Sequence, residues 1–212
     1  MKKSLSINNI KAYQPVVVEF DGAWKEAIGD PELKGSWIIW GNSGNGKTSF
    51  ALQLAMYFTK FCKVVYDSIE EGMSKSMQDA INRISIDTHS KYRFSLLDGA
   101  DIPTLKETLR KKRSAKVVFI DSLQYTGLSY ADYKQLRDEF PNKLFIFVSH
   151  ADGREPKGEV AKSVRYDAMV KIRVEHYWAF TQGRYGGGEP FVIWKQEADK
   201  YPIKDKKKDN GE

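Results

Sequence analysis

The stretch Gly41-Asn42-Ser43-Gly44-Asn45-Gly46-Lys47-Thr48 fits the phosphate-binding loop pattern GxxxxGK[ST] at every fixed position. An apolar, strand-like run from Ser36 to Trp40 precedes it, and a helical pattern follows it. This order of strand, glycine-rich loop and helix is the context that the motif requires. The sequence therefore predicts a nucleoside triphosphate site, and a glycine-rich turn without a ligand is the alternative.

Each residue type in this loop suits the binding of phosphate and magnesium. Gly41, Gly44 and Gly46 are expected to take left-handed conformations and to bring backbone amides close to phosphate oxygens. Lys47 supplies a mobile charge for the outer phosphates, and the Thr48 hydroxyl is placed to bind Mg²⁺. The predicted nucleotide-binding residues are Gly41, Asn42, Ser43, Gly44, Asn45, Gly46, Lys47, Thr48 and Ser49.

The composition of the chain indicates one α/β core. The chain has 212 residues, 41% of them hydrophobic, and it contains no run of about 18 apolar residues that would cross a membrane. Met1 to Leu5 is not followed by the apolar segment of a signal peptide, and the single cysteine, Cys62, cannot form an internal disulfide. These features favour a cytoplasmic setting. We expect one domain at residues 1–203, led by an N-terminal segment at 1–35, and a charged, disordered tail at 204–212.

The net charge of +6 favours a polyanionic partner, because clustered cations gain affinity by releasing counterions from phosphates. Arg110, Lys111, Lys112 and Arg113 form one such cluster, and Lys116 lies close to it. Basic character alone does not identify nucleic acid as the partner.

Alternating strand and helix patterns along the chain predict a parallel sheet. Strands are predicted at 15–20, 36–40, 63–69, 92–98, 116–122, 144–149, 168–174, 178–181 and 190–195, and helices at 48–61, 74–84 and 102–112. The helix at 48–61 is expected to be amphipathic, and a loop beginning at 123 is expected to run into a further helix. The segment 151–167 is polar and is predicted to be a long flexible loop, and 182–188 is predicted to be a glycine-rich hairpin.

Acidic residues follow two of the predicted strands. Glu70 and Glu71 come directly after 63–69, and Asp121 ends the apolar run that begins at Val117. Ligands of open α/β sheets bind at the carboxyl ends of the strands, so these carboxylates can face a bound nucleotide. Asp121 fits the Walker B position, which holds magnesium or a magnesium-bound water. A solvated acidic pair that caps the next helix is the alternative for Glu70 and Glu71.

Polar and aromatic side chains lie near the same edge. His150 follows the strand at 144–149 and is either a sensor of the nucleotide state or a structural residue. Tyr125, Tyr130 and Tyr133 suit base stacking on single strands, but aromatic residues at a helix start can equally belong to the edge of a core.

The order of these parts resembles the RecA-like core ATPase superfamily. The phosphate loop is followed by Glu70, by Asp-Ser-Leu-Gln at 121–124, by Ser-His at 149–150 and by Arg-Tyr-Gly at 184–186. The likeness is greatest to the cores of RadA-type recombination proteins and DnaB-type replicative helicases, and to short RecA-like ATPases of phages. It implies a mostly parallel, twisted sheet flanked by helices, with a C-terminal antiparallel hairpin.

The resemblance also implies roles for individual residues. Glu70 falls on the position of the catalytic glutamate, with Glu71 as the alternative, and Asp121 takes the magnesium position. No glutamate follows Asp121 directly, which separates the chain from the AAA+ branch. His150 matches the sensor position.

The resemblance further implies an arginine finger at Arg184. In relatives, a Lys-x-Arg pair on this hairpin reaches the nucleotide site of the adjacent subunit. There the arginine stabilises transition-state charge together with the phosphate-loop lysine, which corresponds to Lys47 in this chain. Gln182 occupies the lysine position of that pair. A finger that acts in trans implies a homo-oligomer, either a ring or a filament.

The loops 124–135 and 151–166 match, by position, the two places where RecA-like proteins contact single-stranded DNA. The candidate DNA-binding residues are Tyr125, Arg154, Lys157, Lys162 and Arg165.

The sequence thus predicts an ATPase that uses ATP and Mg²⁺ and couples its nucleotide state to the binding of single-stranded DNA in recombination, annealing or replication. A replication or recombination protein is a further expected partner, and no membrane partner is expected. The alternatives are a DnaB-like helicase motor subunit and an ATP-gated regulatory or loader protein that acts on a protein partner.

Overall fold

The computed structural model describes residues 4–84 and 86–203. Within these ranges the strands are β1 (Gly35–Gly41), β2 (Val64–Ser68), β3 (Phe94–Leu97), β4 (Val117–Asp121), β5 (Leu144–Asp152), β6 (Glu155–Pro156), β7 (Val170–Glu175), β8 (Trp178–Gly183) and β9 (Phe191–Val192). The helices are α1 (Ile7–Lys11), α2 (Gly22–Ile28), α3 (Lys47–Phe58), α4 (Lys75–Asn82), α5 (Thr88–Arg93), α6 (Ile102–Arg110), α7 (Tyr130–Glu139), α8 (Glu159–Asp167) and α9 (Lys195–Ala198), and Leu123–Tyr125 forms a 3₁₀ turn. The predicted tail at 204–212 lies outside the described residues.

The strands form a twisted, mostly parallel sheet in the order β3-β2-β4-β5-β1-β7-β8-β9, with β6 paired to β5. The first six strands in this order are parallel to one another, whereas β8 and β9 are antiparallel to their neighbours. Helices cover both faces of the sheet. The predicted fold class, a mostly parallel sheet with a C-terminal antiparallel part, is confirmed. No helix of the described chain is long and apolar enough to cross a membrane.

Helix α3 lies at the centre of one apolar layer and positions the phosphate loop that precedes it. Eight of its 12 residues are buried, so the helix is enclosed on most sides and is not amphipathic as predicted. The reason is that the lead segment covers its outer side: the Phe20 ring contacts the rings of Tyr57 and Phe58. The second layer, on the opposite face, contains side chains of α6, α7 and α8 such as Leu109, Leu136 and Val164.

One predicted strand is reduced to a single bridge, and another is shorter than predicted. The segment 15–20 makes only one bridge, between Val17 and Glu32, because its partner segment is short and continues directly into β1. The predicted strand at 190–195 is reduced to Phe191–Val192, and Lys195 begins a helix.

The predicted flexible loop at 151–167 is wrong. Strand β5 extends to Asp152, a short hairpin leads into β6, and α8 occupies the rest of the segment. Val160, Ala161 and Val164 recur at helical spacing, and burial of Ala161 and Val164 in the second apolar layer stabilises α8.

The predicted hairpin at 182–188 is a wide loop, because β9 pairs with β8 only at Trp178 and Ala179. The tight hairpin of the C-terminal part lies instead between β7 and β8. Its turn residues, His176 and Tyr177, have φ values of 50° and 62°, a left-handed conformation that residues other than glycine rarely adopt.

Asp67 is a fully buried carboxyl on β2, next to the edge strand β3. Its Oδ1 accepts a hydrogen bond of 2.9 Å from the Ala100 amide, while Oδ2 has no hydrogen-bond partner within the described ranges. Burial raises the pKa of Asp67 to about 6, against the hydrogen bond from Ala100, which lowers it. Between about pH 4 and pH 6, Asp67 is therefore protonated in the folded state and ionised in the unfolded chain.

We expect Asp67→Asn to change the pH dependence of stability. The folded pKa lies above the unfolded value, so ionisation of Asp67 destabilises the native protein as pH rises through 6. Relative to the variant, the wild-type free energy of unfolding should fall by about 2 kcal/mol between pH 4 and pH 7. Urea unfolding at both pH values measures this difference. Asp79→Asn, at an exposed carboxyl, is the control for the charge change itself, and an equal effect in both variants contradicts the prediction.

Candidate nucleotide-binding site

A cleft at the carboxyl edge of the sheet adjoins the phosphate loop. It is lined by Ser43, Gly44, Gly46, Lys47, Thr48, Ser49, Glu70, Glu71, Arg83, Asp121, Tyr177 and Trp194. The structure thus brings together most of the predicted phosphate loop, both candidate glutamates and the predicted magnesium ligand Asp121. Of the predicted nucleotide-binding residues, Gly41, Asn42 and Asn45 do not line this cleft.

Three glycines of the phosphate loop have two different roles. Gly44 and Gly46 have φ values of 75° and 94°, which confirms the predicted left-handed conformations. The same prediction is wrong for Gly41, which is the last residue of β1. A Cβ atom at Gly41 would lie 2.1 Å from the Val174 carbonyl oxygen, so Gly41 is required by the close approach of β7.

Lys47 is the first residue of α3, and its side chain folds back over the loop. Its Nζ donates a hydrogen bond of 3.0 Å to the Asn42 carbonyl oxygen. Burial lowers the pKa of Lys47, and the nearby carboxylates of Asp121 and Glu70 oppose this shift. The free amides of the helix start and this ammonium group together suit the binding of phosphate.

Asp121 ends β4 beneath the phosphate loop and is almost fully buried. The Tyr66 hydroxyl donates a hydrogen bond to its carboxylate. Burial raises the pKa of Asp121 to about 6; the hydrogen bond from Tyr66 opposes this shift, and repulsion from Glu70 and Glu71 adds to it. The Tyr66 partner was not predicted, because Tyr66 and Asp121 come from two strands that are far apart in the sequence.

The cleft has the composition of a magnesium site. Its lining carries the three carboxylates of Glu70, Glu71 and Asp121 against the two cations Lys47 and Arg83. A triphosphate would add further negative charge, which a divalent cation would balance. The Asp121 carboxylate and the Thr48 hydroxyl supply the oxygen ligands that Mg²⁺ prefers, and these residues therefore fit the ion.

The two candidate glutamates have different surroundings. The Glu70 carboxylate lies 2.9 Å from His150 Nε2, and both side chains are partly exposed. Partial burial raises the pKa of Glu70, but the hydrogen bond with His150 contributes to a net lowering. The Glu71 carboxylate instead accepts a hydrogen bond of 2.7 Å from the Ser76 hydroxyl at the start of α4.

Gln124 links the end of β4 to the end of β5. Its side-chain amide donates to the Ser149 hydroxyl and to the Lys157 carbonyl, and its oxygen accepts from the His150 amide. The Tyr125 ring meets the His150 ring edge to face, with centroids 6.0 Å apart. His150 therefore contacts Glu70 on one side and the predicted DNA-binding region on the other.

The predicted DNA-binding cations lie in the turns on either side of β6 and on α8. Lys162 and Arg165 form ion pairs with Glu159 and Glu155, and the Arg165 guanidinium also lies over the Trp40 ring. Arg154, Lys157 and Tyr125 are exposed. These five residues stay candidates for a nucleic-acid contact, now on a folded surface next to His150.

Arg184 lies far from the cleft of its own chain. It follows β8, whose end pairs with Val170 at the start of β7, and the phosphate loop lies at the opposite end of these strands. The neighbouring Tyr185 packs against Gly29, where its carbonyl oxygen would lie 1.9 Å from an added Cβ atom. Arg184 is exposed, so a role in a nucleotide site requires the site of another subunit.

The β7–β8 hairpin is a part of the site that sequence reasoning missed. Asn45 holds its turn: the Asn45 side-chain oxygen accepts from the His176 amide at 2.8 Å, and the Asn45 carbonyl accepts from the Tyr177 amide at 3.1 Å. The Tyr177 ring lies against Gly46 and meets Trp194 edge to face. The strands on either side were predicted at 168–174 and 178–181, but no glycine or asparagine marks the turn, and no local signal indicated its contact with the phosphate loop.

The chain matches no protein-family model and no curated protein sequence. Among solved structures, it is similar to the flagellar accessory protein FlaH from Methanocaldococcus jannaschii, with a TM-score of 0.61 and 16% sequence identity over 84% of this chain and 97% of that chain. It is also similar to a KaiC-like protein from the archaeon Pyrococcus horikoshii, with a TM-score of 0.58 and 15% identity over 84% of this chain and 93% of that chain. These likenesses support the RecA-like fold and extend over most of the chain.

We expect Asn45→Ala to loosen the β7–β8 hairpin. The variant removes the side-chain hydrogen bond to the His176 amide, which should lower the free energy of unfolding by about 1 kcal/mol in urea titrations. Asn42→Ala is a matched control, because Asn42 is exposed in the same loop and its side chain makes no hydrogen bond to the described residues. Equal losses of stability in the two variants would contradict a supporting role of Asn45.

Proposed function

We propose that the protein is a magnesium-dependent ATPase of the RecA-like type that couples its nucleotide state to the binding of single-stranded DNA. The observation that carries this proposal is the convergence of Lys47, Thr48, Glu70 and Asp121 on one cleft at the carboxyl edge of the sheet. These residues come from three separate strand ends and supply a phosphate cradle, magnesium ligands and a carboxylate for the attacking water.

The roles of the phosphate-loop residues follow from their chemistry. The amides around Gly44 and Gly46 and the Lys47 ammonium bind and orient the triphosphate. Thr48 and Asp121 would hold Mg²⁺, which would supply positive charge to the transferring phosphoryl group. The hydrogen bond from Tyr66 fixes the orientation of the Asp121 carboxylate.

We assign the orientation of the attacking water to Glu70. Its carboxylate lines the cleft and is held by His150, whose position at the end of β5 suits a sensor of the nucleotide state. Glu71 also lines the cleft, but its carboxylate is engaged by Ser76 at the start of α4. This difference in partners favours Glu70 over Glu71.

The contacts of His150 support coupling to a nucleic acid. The His150 ring contacts both the Glu70 carboxylate and the ring of Tyr125, which is 57% exposed, so a change at Glu70 would be passed to Tyr125 through His150. Gln124 connects the same strand end to the backbone of Lys157. Bases stacked on Tyr125 and phosphates bound by Lys157 and Arg154 would then respond to the state of the nucleotide.

A homo-oligomer is part of the proposal. Arg184 lies at the amino edge of the sheet, away from its own cleft, and can complete only the site of a neighbouring subunit. In addition, the short helix α1 has no buried residue, and its Ile7 and Ile10 side chains are 69% and 62% exposed. Exposed apolar side chains of this kind mark interaction surfaces, which supports assembly with further copies.

We expect ATP hydrolysis that depends on Lys47 and Glu70 and rises with single-stranded DNA. Lys47→Ala should abolish turnover, and Glu70→Gln should lower kcat by about 10²- to 10⁴-fold while nucleotide binding is retained. The measurement is steady-state phosphate release with and without oligothymidylate.

Glu71→Gln is the matched control for this assay and should retain turnover. An inactive Glu71→Gln variant together with an active Glu70→Gln variant would assign the catalytic role to Glu71. Hydrolysis that needs Lys47 but does not respond to DNA would favour an ATP-gated protein that acts on a protein partner. Displacement of a complementary DNA strand would favour a helicase motor subunit.

A second experiment tests the arginine finger. Arg184→Ala should lower kcat by about 10³-fold, and Lys47→Ala should also be inactive. Mixed oligomers of the two variants pair an intact phosphate loop with an intact Arg184, so activity should return when they are mixed. Mixtures that stay inactive, although mass photometry shows mixed oligomers, would exclude a finger that acts in trans.

A further inference from the structure

The amino edge of the parallel sheet carries a row of cations. Five neighbouring strands, in the order β3-β2-β4-β5-β1, begin at one level, because Phe94, Val64, Val117, Leu144 and Gly35 are paired in register across the sheet. Each of these strands is directly preceded by a basic residue. We call the five residues the amino-edge row: Arg93, Lys63, Lys116, Lys143 and Lys34.

The row is continuous in space. Backbone hydrogen bonds join its members beyond the strand ends, from the Lys116 amide to the Lys63 carbonyl, from the Leu144 amide to the Lys116 carbonyl and from the Gly35 amide to the Lys143 carbonyl. Neighbouring strands lie about 4.8 Å apart, so the five residues extend over about 19 Å.

Further cations extend the row on one face. The loop between α6 and β4 contains Lys111, Lys112 and Arg113, all exposed. Lys63 Nζ donates to the Arg113 carbonyl, and Lys143 Nζ donates to the carbonyl of Ala115 and the hydroxyl of Ser114 in the same loop. We call Lys111, Lys112 and Arg113 the basic loop.

Few carboxylates balance these charges. Within residues 4–84 and 86–203, the ion pairs of this region are those of Lys34 with Glu32, of Lys106 and Arg110 with Glu139, and of Arg137 with Asp167. Arg93, Lys63 and Lys143 donate hydrogen bonds to backbone carbonyls, and Lys143 also donates to a hydroxyl. These partners are uncharged, so they do not neutralise the positive charges. Burial lowers the pKa of Lys143, and repulsion from Lys116 lowers it further, as expected for a region of positive potential.

A purely structural role accounts for only part of the row. Arg93 donates to the Thr59 and Lys60 carbonyls at the end of α3, where a cation stabilises the carboxyl end of a helix. Lys111, Lys112 and Lys116, by contrast, make no side-chain hydrogen bond or ion pair to any described residue. The amino edge therefore carries cations that are not used in hydrogen bonds to backbone carbonyl groups.

We infer that the amino-edge row and the basic loop bind the sugar-phosphate backbone of a nucleic acid, at the edge of the sheet opposite the nucleotide cleft. This inference goes beyond the proposed function, which places single-stranded DNA at the carboxyl edge. A linear row of closely spaced cations suits a polymer with regularly spaced phosphates.

Aromatic side chains favour a nucleic acid over an acidic protein. Tyr92, next to Arg93, is 80% exposed, and Phe61, two residues before Lys63, is 38% exposed. Exposed rings beside a cationic track offer stacking surfaces for bases. A protein partner would need a larger apolar centre than these two rings supply.

The test is binding of a fluorescent oligothymidylate to the full chain without nucleotide, measured by anisotropy over a range of salt concentrations. Lys111→Gln with Lys112→Gln, and Lys63→Gln with Lys116→Gln, should each weaken binding about tenfold and reduce the salt slope by about 1.4, because each lost phosphate contact removes about 0.7. The first pair makes no contacts that the fold needs, so its effect is not a loss of structure.

Two further pairs remove the same charge elsewhere, and the first of them is the control. Lys75→Gln with Lys200→Gln changes exposed residues that are paired with Asp79 and Glu197, and it should leave binding within twofold of wild type. Arg154→Gln with Lys157→Gln tests the carboxyl-edge surface of the proposed function separately. Because no nucleotide is present, a failure of the ATPase proposal does not affect this result.

Three outcomes would overturn the inference. The first is unchanged binding in both amino-edge pairs, and the second is an equal loss in the Lys75 and Lys200 pair, which would indicate a general charge effect. The third is competition by polyglutamate as strong as that by unlabelled oligothymidylate, which would indicate an acidic protein surface as the partner.

Discussion

The close approach of Gly41 to the Val174 carbonyl is the contact on which the nucleotide cleft depends. Because Gly41 has no side chain, β7 can lie against the end of β1, and the β7–β8 turn then reaches the phosphate loop. There Asn45 binds the turn through two hydrogen bonds, and the Tyr177 ring is placed over Gly46. A larger residue at position 41 would separate the two strands and remove this wall of the cleft.

The parallel alignment of six strands separates the charges of the molecule into two edges. All carboxyl ends meet at one edge, where Glu70, Glu71 and Asp121 line the cleft together with Lys47. The amino ends meet at the other edge, where the amino-edge row lies. Under the two proposals, the cleft with surplus carboxylates would take a triphosphate together with Mg²⁺, whereas the opposite edge would attract a polyanion without a metal. The same topology therefore produces two sites of different chemistry.

The sequence predicted a feature correctly where a single continuous segment contains all the residues that define the feature. The phosphate loop and the apolar runs of β1, β2, β4 and β5 are such segments, and they predicted the fold class and most of the cleft. Helix α8 was missed because its polar surface and the preceding Gly158 obscured the apolar spacing of Val160 and Val164. The contact of the β7–β8 turn with the phosphate loop was missed, although both strands were predicted, because His176 and Tyr177 adopt a conformation that their residue types do not signal.

Other parts of the site depend on register between distant segments, which a sequence does not contain. Tyr66 meets Asp121 only because β2 and β4 are neighbours with Ser68 opposite Asp121. The amino-edge row likewise arises from five strands whose first residues are scattered from position 35 to position 144 and lie level only in the folded sheet.

Arg184, the proposed arginine finger, and the amino-edge row occupy different ends of one edge. Lys34 precedes β1, and Arg184 follows β8, two strands further along in the sheet order. Strand spacing places the end of β8 about 10 Å beyond Lys34 and about 29 Å from the end of the row at Arg93. In the proposed oligomer, a neighbouring subunit that received Arg184 would therefore cover the β8 end first, and the cations before β2, β3 and β4 would stay accessible to a nucleic acid. Lys34, which is already paired with Glu32, is the member of the row that such an interface would reach, so assembly and polyanion binding are compatible on this edge.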